Sequence, residues 1–369
     1  MKETKFKQTD IGLVPKDWVV KEIEKVAPLQ RGFDLPQKKL VNGVFPVVYS
    51  NGICNYHHKY LIKGPGVVTG RSGTIGKIHY IENNYWPHNT TLWVTNFYNN
   101  NPLFIYYLFK SFDWLRFSTG TGVPTLNRNF VHEEKVALPP TIEEQKRIAN
   151  TLSQVDDLLA ALDEQIEKKK LIKQGTMQQL LTGKTRLKGF SGKWMTVKLG
   201  DVADIRTGKR NGDENIESGL YPFFVRSQSV YRINSYSYDG EAILIPGEGG
   251  IGKIFHYING KFDYHQRVYK ISDFPSNFDT KFVYFYLMKF FGSHALQNTV
   301  KATVDSLRLP TFQDFMLVVP PTLAEQQTIA GILSAMDEEI QALQEERDKY
   351  ALVKQGMMQQ LLTGKIRLN

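Results

Sequence analysis

Gly247-Glu248-Gly249-Gly250-Ile251-Gly252 matches G-x-G-x-x-G, and with Lys253 it also matches G-x-x-x-x-G-K. Glycine-rich turns of this kind can lay backbone N–H groups around phosphates. The details argue for something plainer. A phosphate loop needs Ser or Thr after the lysine to hold magnesium, and Ile254 stands there. Glu248 would place a carboxylate among phosphates. A turn between two strands fits better. Thr182-Gly183-Lys184-Thr185 ends like a phosphate loop too, but Gln178 occupies the place of its upstream glycine. It also falls at a helix end, where the dipole disfavours anions. His57, His58 and His88 have no cysteine or carboxylate partners at metal-ligand spacing. There is no nucleophile elbow and no zinc motif, so the sequence presents no active site of its own and no metal or cofactor site.

Asn101-Pro102-Leu103-Phe104 is faintly similar to the N-P-P-[FY] tetrad of amino-methyltransferases, but no glycine-rich cofactor loop precedes it after a strand. It reads as a turn entering an apolar helix over Phe104–Phe117. What the chain does offer is side chains suited to nucleic acid. Base edges are read by Arg, Lys, Asn and Gln, and phosphates by Arg, Lys, Ser, Thr and backbone amides. In the first half the candidates in loops are Arg71, Ser72, Lys77, Asn89 and Thr90, then Asn127 and Arg128 after Thr119-Gly120-Thr121-Gly122. In the second half they are Arg206, Lys209, Arg210, Arg226, Ser227, Gln228, Lys253, Gln266, Arg267 and Arg308. The net charge of +9 supports a polyanionic partner. Residues 1–138 carry 17 Lys and Arg against 10 Asp and Glu, and residues 189–319 carry 15 against 13. The surplus therefore lies mainly in the first globular segment.

These candidates hang on a frame that the chain contains twice. Pro139-Pro140-Thr141 opens a stretch that runs to Leu187, and Pro320-Pro321-Thr322 opens its copy 181 residues later, with 28 of 49 aligned positions identical and no gap. Thr141 with Glu144, and Thr322 with Glu325, have capping-box spacing. Apolar residues then step by four and three: Ile148, Leu152, Val155, Leu159, Leu162 and Ile166, and in the copy Ile329, Leu333, Met336, Ile340 and Leu343. That is a coiled-coil seam. Further along it falls on Lys169 and Lys173, and on Arg347 and Lys354, whose stems can cover apolar surface. Each helix is expected to span about 40 residues, roughly 60 Å. Gly175 and Gly356 inside it predict close approach of the two helices, or else a break. Gly183 and Gly364 read as C-terminal stops. The two narrow apolar stripes are expected to bury each other, either antiparallel, with the globular segments at opposite ends of a rod, or parallel, with both at one end.

The globular segments repeat more loosely. Trp18 matches Trp194, Phe45-Pro46 matches Tyr221-Pro222, and Ile75-Gly76-Lys77-Ile78 matches Ile251-Gly252-Lys253-Ile254, all at a shift of 176. His88-Asn89 matches His265-Gln266 at 177. Short β-branched and aromatic runs with Gly and Asn punctuation read as strands. The expected fold class is α/β (α+β), in the order domain 1–138, helix 139–188, domain 189–319, helix 320–369. Near-copied helices beside diverged domains suit one kind of partner for the helices and two different targets for the domains. The lone Cys54 permits no internal disulfide, the polar Met1–Asp10 is unlike a signal peptide, and no apolar run approaches the ~20 residues of a membrane span, so a cytoplasmic protein is expected.

Lys-Gln-Gly-x-Met-Gln-Gln-Leu-Leu-Thr-Gly-Lys at 173–184 and 354–365, the Pro-Pro-Thr-x-x-Glu-Gln openings, the Gly-x-Ile-Gly-Lys turns and Pro-Lys-Asp-Trp at 15–18 give the whole chain its family likeness. It resembles the specificity subunits of type I restriction–modification systems. The resemblance implies two target-recognition domains and two spacer helices packed antiparallel about a pseudo-twofold axis. Each domain would read one half of a split, asymmetric target in double-stranded DNA, while the helices fix the gap and dock two methyltransferase subunits. Such a complex methylates adenine with S-adenosylmethionine, and with restriction/translocase subunits it cleaves DNA using ATP and magnesium. All these cofactors belong to partner subunits, and this chain is non-catalytic. Two rival readings are a nucleotide-binding enzyme using Gly247–Lys253 and a coiled-coil scaffold that binds no DNA.

Overall fold

A computed structural model of the chain describes residues 5–119, 124–297 and 306–368, so Met1–Thr4 of the polar N-terminus lie outside it. The chain divides into two compact units, one of Met1–Asp163 with Glu345–Asn369 and the other of Glu164–Gln344. The division falls inside both long helices, Ile142–Leu180 and Leu323–Leu361, each of 39 residues.

In the first unit Leu29–Arg31, Thr91–Val94, Gly66–Gly70 and Ile78–Ile81 form an antiparallel sheet in that order. A smaller sheet is built on Phe45–Tyr49. Lys135–Leu138 pairs with Val19–Glu22 and delivers the chain into the first long helix. Trp18, Phe104, Phe109 and Trp114 fill a core that also takes Ile148 and Leu152 from the start of that helix and Leu361 and Leu362 from the end of the second. The second unit follows the same plan. Its sheet runs Asp204–Thr207, Val268–Ser272, Tyr238–Pro246, His256–Tyr264, Tyr221–Phe224 and Tyr231–Ile233. Its core takes Ile329 and Leu333 from the start of the second long helix and Leu180 and Leu181 from the end of the first.

Within each unit the two helices run antiparallel. In the first, Asp156 pairs with Lys354 and Asp163 with Arg347: one number rises as the other falls. In the second, Lys169 meets Glu339 at 2.6 Å and Lys173 meets Asp337. Lys354–Asp156 and Lys173–Asp337 are one pair made twice, shifted by 181 at both ends. Each lysine lies beneath an aromatic ring, Tyr107 or Phe285, and both are only 9% exposed. Their stems do the covering expected where the apolar seam gives out. The seam is deepest where it enters a globular core. Ile148, Leu152 and Leu333 are fully buried and Ile329 nearly so, followed by Leu162, Ile166 and Ile340, whereas Val155, Leu159, Met336 and Leu343 are half-buried. The start of each stripe is covered in addition by a globular core, Ile148 and Leu152 in one unit and Ile329 and Leu333 in the other.

Three local expectations change. The run Phe104–Phe117 is not one helix. Asn101 caps a helix over Pro102–Lys110, Ser111 Oγ bonds back to Leu108 O, and Asp113 starts a separate single turn over Trp114–Phe117. Short polar side chains competing for the backbone end the helix despite the apolar run. Gly175 and Gly356 neither break their helices nor bring them together. Both are exposed, and a Cβ at either would meet nothing within 4 Å. The capping boxes are half made. Thr141 and Thr322 accept from the N–H groups of Glu144 and Glu325, but the glutamates serve distant cations. Arg367 Nε and Nη2 both donate to Glu144, and its Nη1 and Nη2 reach Asp17 at 2.8 and 2.9 Å. In the second unit Arg186 Nη2 donates to Glu325 at 2.8 Å, while its Nε contact at 2.7 Å is a charge contact too bent for a hydrogen bond. Gly183 and Gly364 do stop the helices, with φ of +65° and +69°.

Glu325 is 1% exposed, so removing its cation leaves a buried, unpaired carboxylate. Arg186→Ala is expected to destabilise the protein by about 3 kcal/mol, whereas Asp17→Ala, which removes an exposed partner, costs under about 1 kcal/mol; urea midpoints compare the two. Burial alone would raise the Asp156 carboxyl, but hydrogen bonds from Lys354 and Tyr107 outweigh it and hold Asp156 below its usual range. A carboxyl depressed by folding adds stability above its unfolded pKa and loses it as pH falls through the folded value. Asp156→Asn should therefore flatten the loss of stability below about pH 4, followed by denaturation at stepped pH.

Candidate nucleic-acid interface

In the first unit strand Leu29–Arg31 ends in a tight passage. A Cβ on Gly32 would stand 2.2 Å from His88 O, so only glycine lets the chain by. Arg71, just beyond strand Gly66–Gly70, donates its N–H to Thr90 O at 2.8 Å and accepts on its C=O from Leu126 N at 2.7 Å. Ser72 bridges to Thr125. These bonds gather Gln30, Arg31, Arg71, Asn127 and Arg128 around one cleft of about 810 Å³. Arg71 Nε donates to Asn89 O at 3.2 Å. Burial, and then the neighbouring Arg31 guanidinium, push the Arg71 pKa down. The acid among the described lining residues, Asp34, accepts from Asn89. Among the described residues neither Arg31 nor Arg71 has a carboxylate on it, and Arg128 lines the same cleft, which favours an anionic guest.

The second unit builds the same backbone frame. Gly247 N donates to Arg267 O and Leu307 N to Gly247 O, both at 2.8 Å, and Glu248 bridges to Ser306. A Cβ on Gly208 would stand 1.9 Å from Tyr264 O. The cleft so formed, about 180 Å³, is lined by Thr207, Glu248, Gln266, Arg267, Tyr269, Ser306 and Arg308. Where the first cleft has Arg31 and Arg71, with Ser72 beside it, this one has Thr207, Gly247 and Glu248. The frame is shared and the chemistry is not.

Most of the expected residues fall in or beside these clefts: Arg71, Ser72, Asn89, Thr90, Asn127 and Arg128 in one, and Gln266, Arg267 and Arg308 in the other. Arg226 reaches the second through Glu248, at 3.3 Å. Arg206, Lys209 and Arg210 line a separate cleft of about 860 Å³ in the second unit, with Tyr236, Tyr238, Asp263 and Lys270. There Arg210 is bound to Asp263, Glu214 and Ser235, at 2.9 to 3.2 Å, so its charge is used internally. Arg206 pairs with Asp204 but stays largely exposed. Ser227 bonds to Ser229 O, while Lys77, Gln228 and Lys253 are exposed and line none of these clefts. Gly120, Thr121 and Gly122 lie outside the described residues. Gln30 and Arg31 were not among the expected residues. Their signal was the match of Gln30-Arg31-Gly32 to Arg206-Thr207-Gly208 at a shift of 176.

The Gly247–Lys253 stretch joins strand Tyr238–Pro246 to strand His256–Tyr264. It has no helix start to hold phosphate, and the Glu248 carboxylate is taken up by Arg226 and Arg267. Thr182–Thr185 caps a helix end. His57 bonds to Val41, and His88 to Thr90. Among the described residues, no helix is long and apolar enough to cross a membrane.

The family model for the type I restriction modification DNA specificity domain matches residues 15–170 and again 191–349. The MjaVIII specificity subunit of Methanocaldococcus jannaschii is 28% identical over 304 residues, 73% of this chain and 71% of that protein. The putative MjaX specificity subunit of the same organism is 24% identical across all of this chain and 98% of its own length. The crystal structure of the type I restriction–modification S subunit from M. genitalium superposes with a TM-score of 0.70 over 97% of this chain and 98% of that one, at 16% identity, a likeness of fold. With both halves matched by one model, the chain belongs to the type I restriction–modification DNA specificity family.

Proposed function

We propose that this chain is the specificity subunit of a type I restriction–modification complex, and that each cleft reads one half of a split, asymmetric duplex target. The carrying observation is the pair of clefts. One backbone frame, with matching hydrogen bonds at Arg71 and Gly247, presents two unlike sets of Arg, Asn, Gln and Ser side chains. Such side chains recognise base edges by hydrogen bonding, and the difference between sets gives two different half-sites. A nucleotide-binding enzyme is not favoured, because the glycine-rich stretch is a strand-to-strand turn closed by its own acid.

The long helices serve as the spacer. Half-sites one helical turn apart are separated by about 34 Å of duplex, and a straight 39-residue helix is long enough to span that gap. They also carry the partners. In the second unit Leu171 and Ile172 are 66% and 46% exposed, beside the open Gly175; in the first, Leu352 and Val353 are 70% and 44% exposed, beside the open Gly356. Apolar side chains left in water at matching places suit two copies of one partner, here two methyltransferase subunits. S-adenosylmethionine, and ATP with magnesium where restriction/translocase subunits join, belong to those partners. The chain supplies recognition and no catalytic group, in the cytoplasm where the host DNA lies.

Replacing residues 1–138 with the equivalent domain of another specificity chain is expected to change one half of the methylated sequence and leave the other intact. A change in both halves, mapped by sequencing methylated DNA, contradicts separate reading.

A further inference from the structure

The second cleft contains an acid at the place where the first has Ser72. Glu248 lies at the mouth of the glycine-rich turn with its side chain 16% exposed, between Arg226 and Arg267, which are about half exposed. It accepts from Arg226 Nη1 at 3.3 Å and makes a closer ion pair with Arg267 Nη1. The backbone around it is fixed by the bridge to Ser306, by Gly247 N on Arg267 O, and by Gly249 and Gly250 at φ of +68° and +72°. The carboxylate is therefore held between the two arginines by the fold.

A free arginine attracts any phosphate, whatever the sequence, and each phosphate it neutralises adds to the salt dependence of binding. A guanidinium held by a carboxylate loses most of that long-range attraction, and the carboxylate repels the duplex backbone as well. Donors remain, because a guanidinium has five N–H groups. Those donors act only at hydrogen-bond range, where a guanine edge can satisfy them in pairs.

We propose that Glu248 is a positioning residue for recognition: it withholds Arg226 and Arg267 from phosphates and reserves them for base edges in the half-site read by the second unit. This rests on the DNA reading above. The first unit, with Ser72 at the matching place and no carboxylate on Arg31 or Arg71 among the described residues, by contrast supplies the larger share of non-specific attraction. The whole-segment charges agree, with an excess of seven positive charges in 1–138 (17 − 10) and two in 189–319 (15 − 13).

The test uses the full chain in complex with its methyltransferase subunits, on a duplex carrying its methylated target and on a random duplex of equal length, across a salt series. Glu248→Gln is expected to tighten random-duplex binding about three- to tenfold and to steepen the log–log salt slope by about one, lowering the ratio of specific to random affinity. The reciprocal Ser72→Glu is expected to weaken random-duplex binding and make the slope shallower by about one, so the idea stays testable if the first variant folds poorly. Unchanged random-duplex affinity and slope in the folded variants would overturn the proposal. So would a changed base at one position with the slope unaltered, since Glu248 would then be reading a base itself. Failure of the wild-type complex to tell target from random duplex would overturn the DNA reading along with it.

Discussion

A carboxylate buried in the first turn of a helix needs a cation brought to it. In each unit that cation comes from the segment following the other long helix. Glu144 receives Arg367, and Glu325 receives Arg186, each arginine also lying over a tryptophan, Trp18 or Trp194. The start of one helix is thus tied beside the end of the other, which fixes the antiparallel direction. The Lys354–Asp156 and Lys173–Asp337 pairs then set the register. Removing Arg367 or Arg186 leaves a buried glutamate that the interior cannot solvate, so the arrangement tolerates little drift.

From that tie the rest of each unit is positioned. Gln145 and Gln326, both buried, accept from the backbone N–H of Asn101 and of Asp279, the residues that cap the helix packed on each sheet. The long helix therefore orients the packing helix, the packing helix backs the sheet, and the sheet edges carry the clefts. The scaffold contacts are copied between units, whereas the cleft side chains are not. That division of labour is what a shared partner and two unlike targets require. Even the copied contacts drift where function permits: Tyr107 donates to Asp156 in one unit, while Phe285 has no hydroxyl to give Asp337 in the other.

The repeat made much of this legible in advance. Helix length, the glycine stops at Gly183 and Gly364, the lysines covering the far end of the seam and the strand-to-strand turn at Gly247 all follow from local pattern, and local pattern is what a sequence displays. What it hid was set at long range. Glu144 carries a capping signature, and its partner Arg367 lies 223 residues away. Arg210 looks like a free DNA contact and is bound by a buried Asp263. Arg31 looks like an ordinary strand end until the fold brings it beside Arg71. The continuous apolar run to Phe117 hid a helix end because hydrophobicity reports burial, while Ser111 and Asp113 decide where the backbone turns. Gly175 and Gly356 invited a packing explanation, yet they face outward.

Split recognition as proposed requires two unlike sites carried by one duplicated frame. Sequencing the methylated positions in DNA from a host carrying this chain with its methyltransferase subunits tests that most directly. Two different short motifs, separated by a fixed number of unread base pairs, are the predicted result. One uninterrupted motif, or two identical halves, would contradict it.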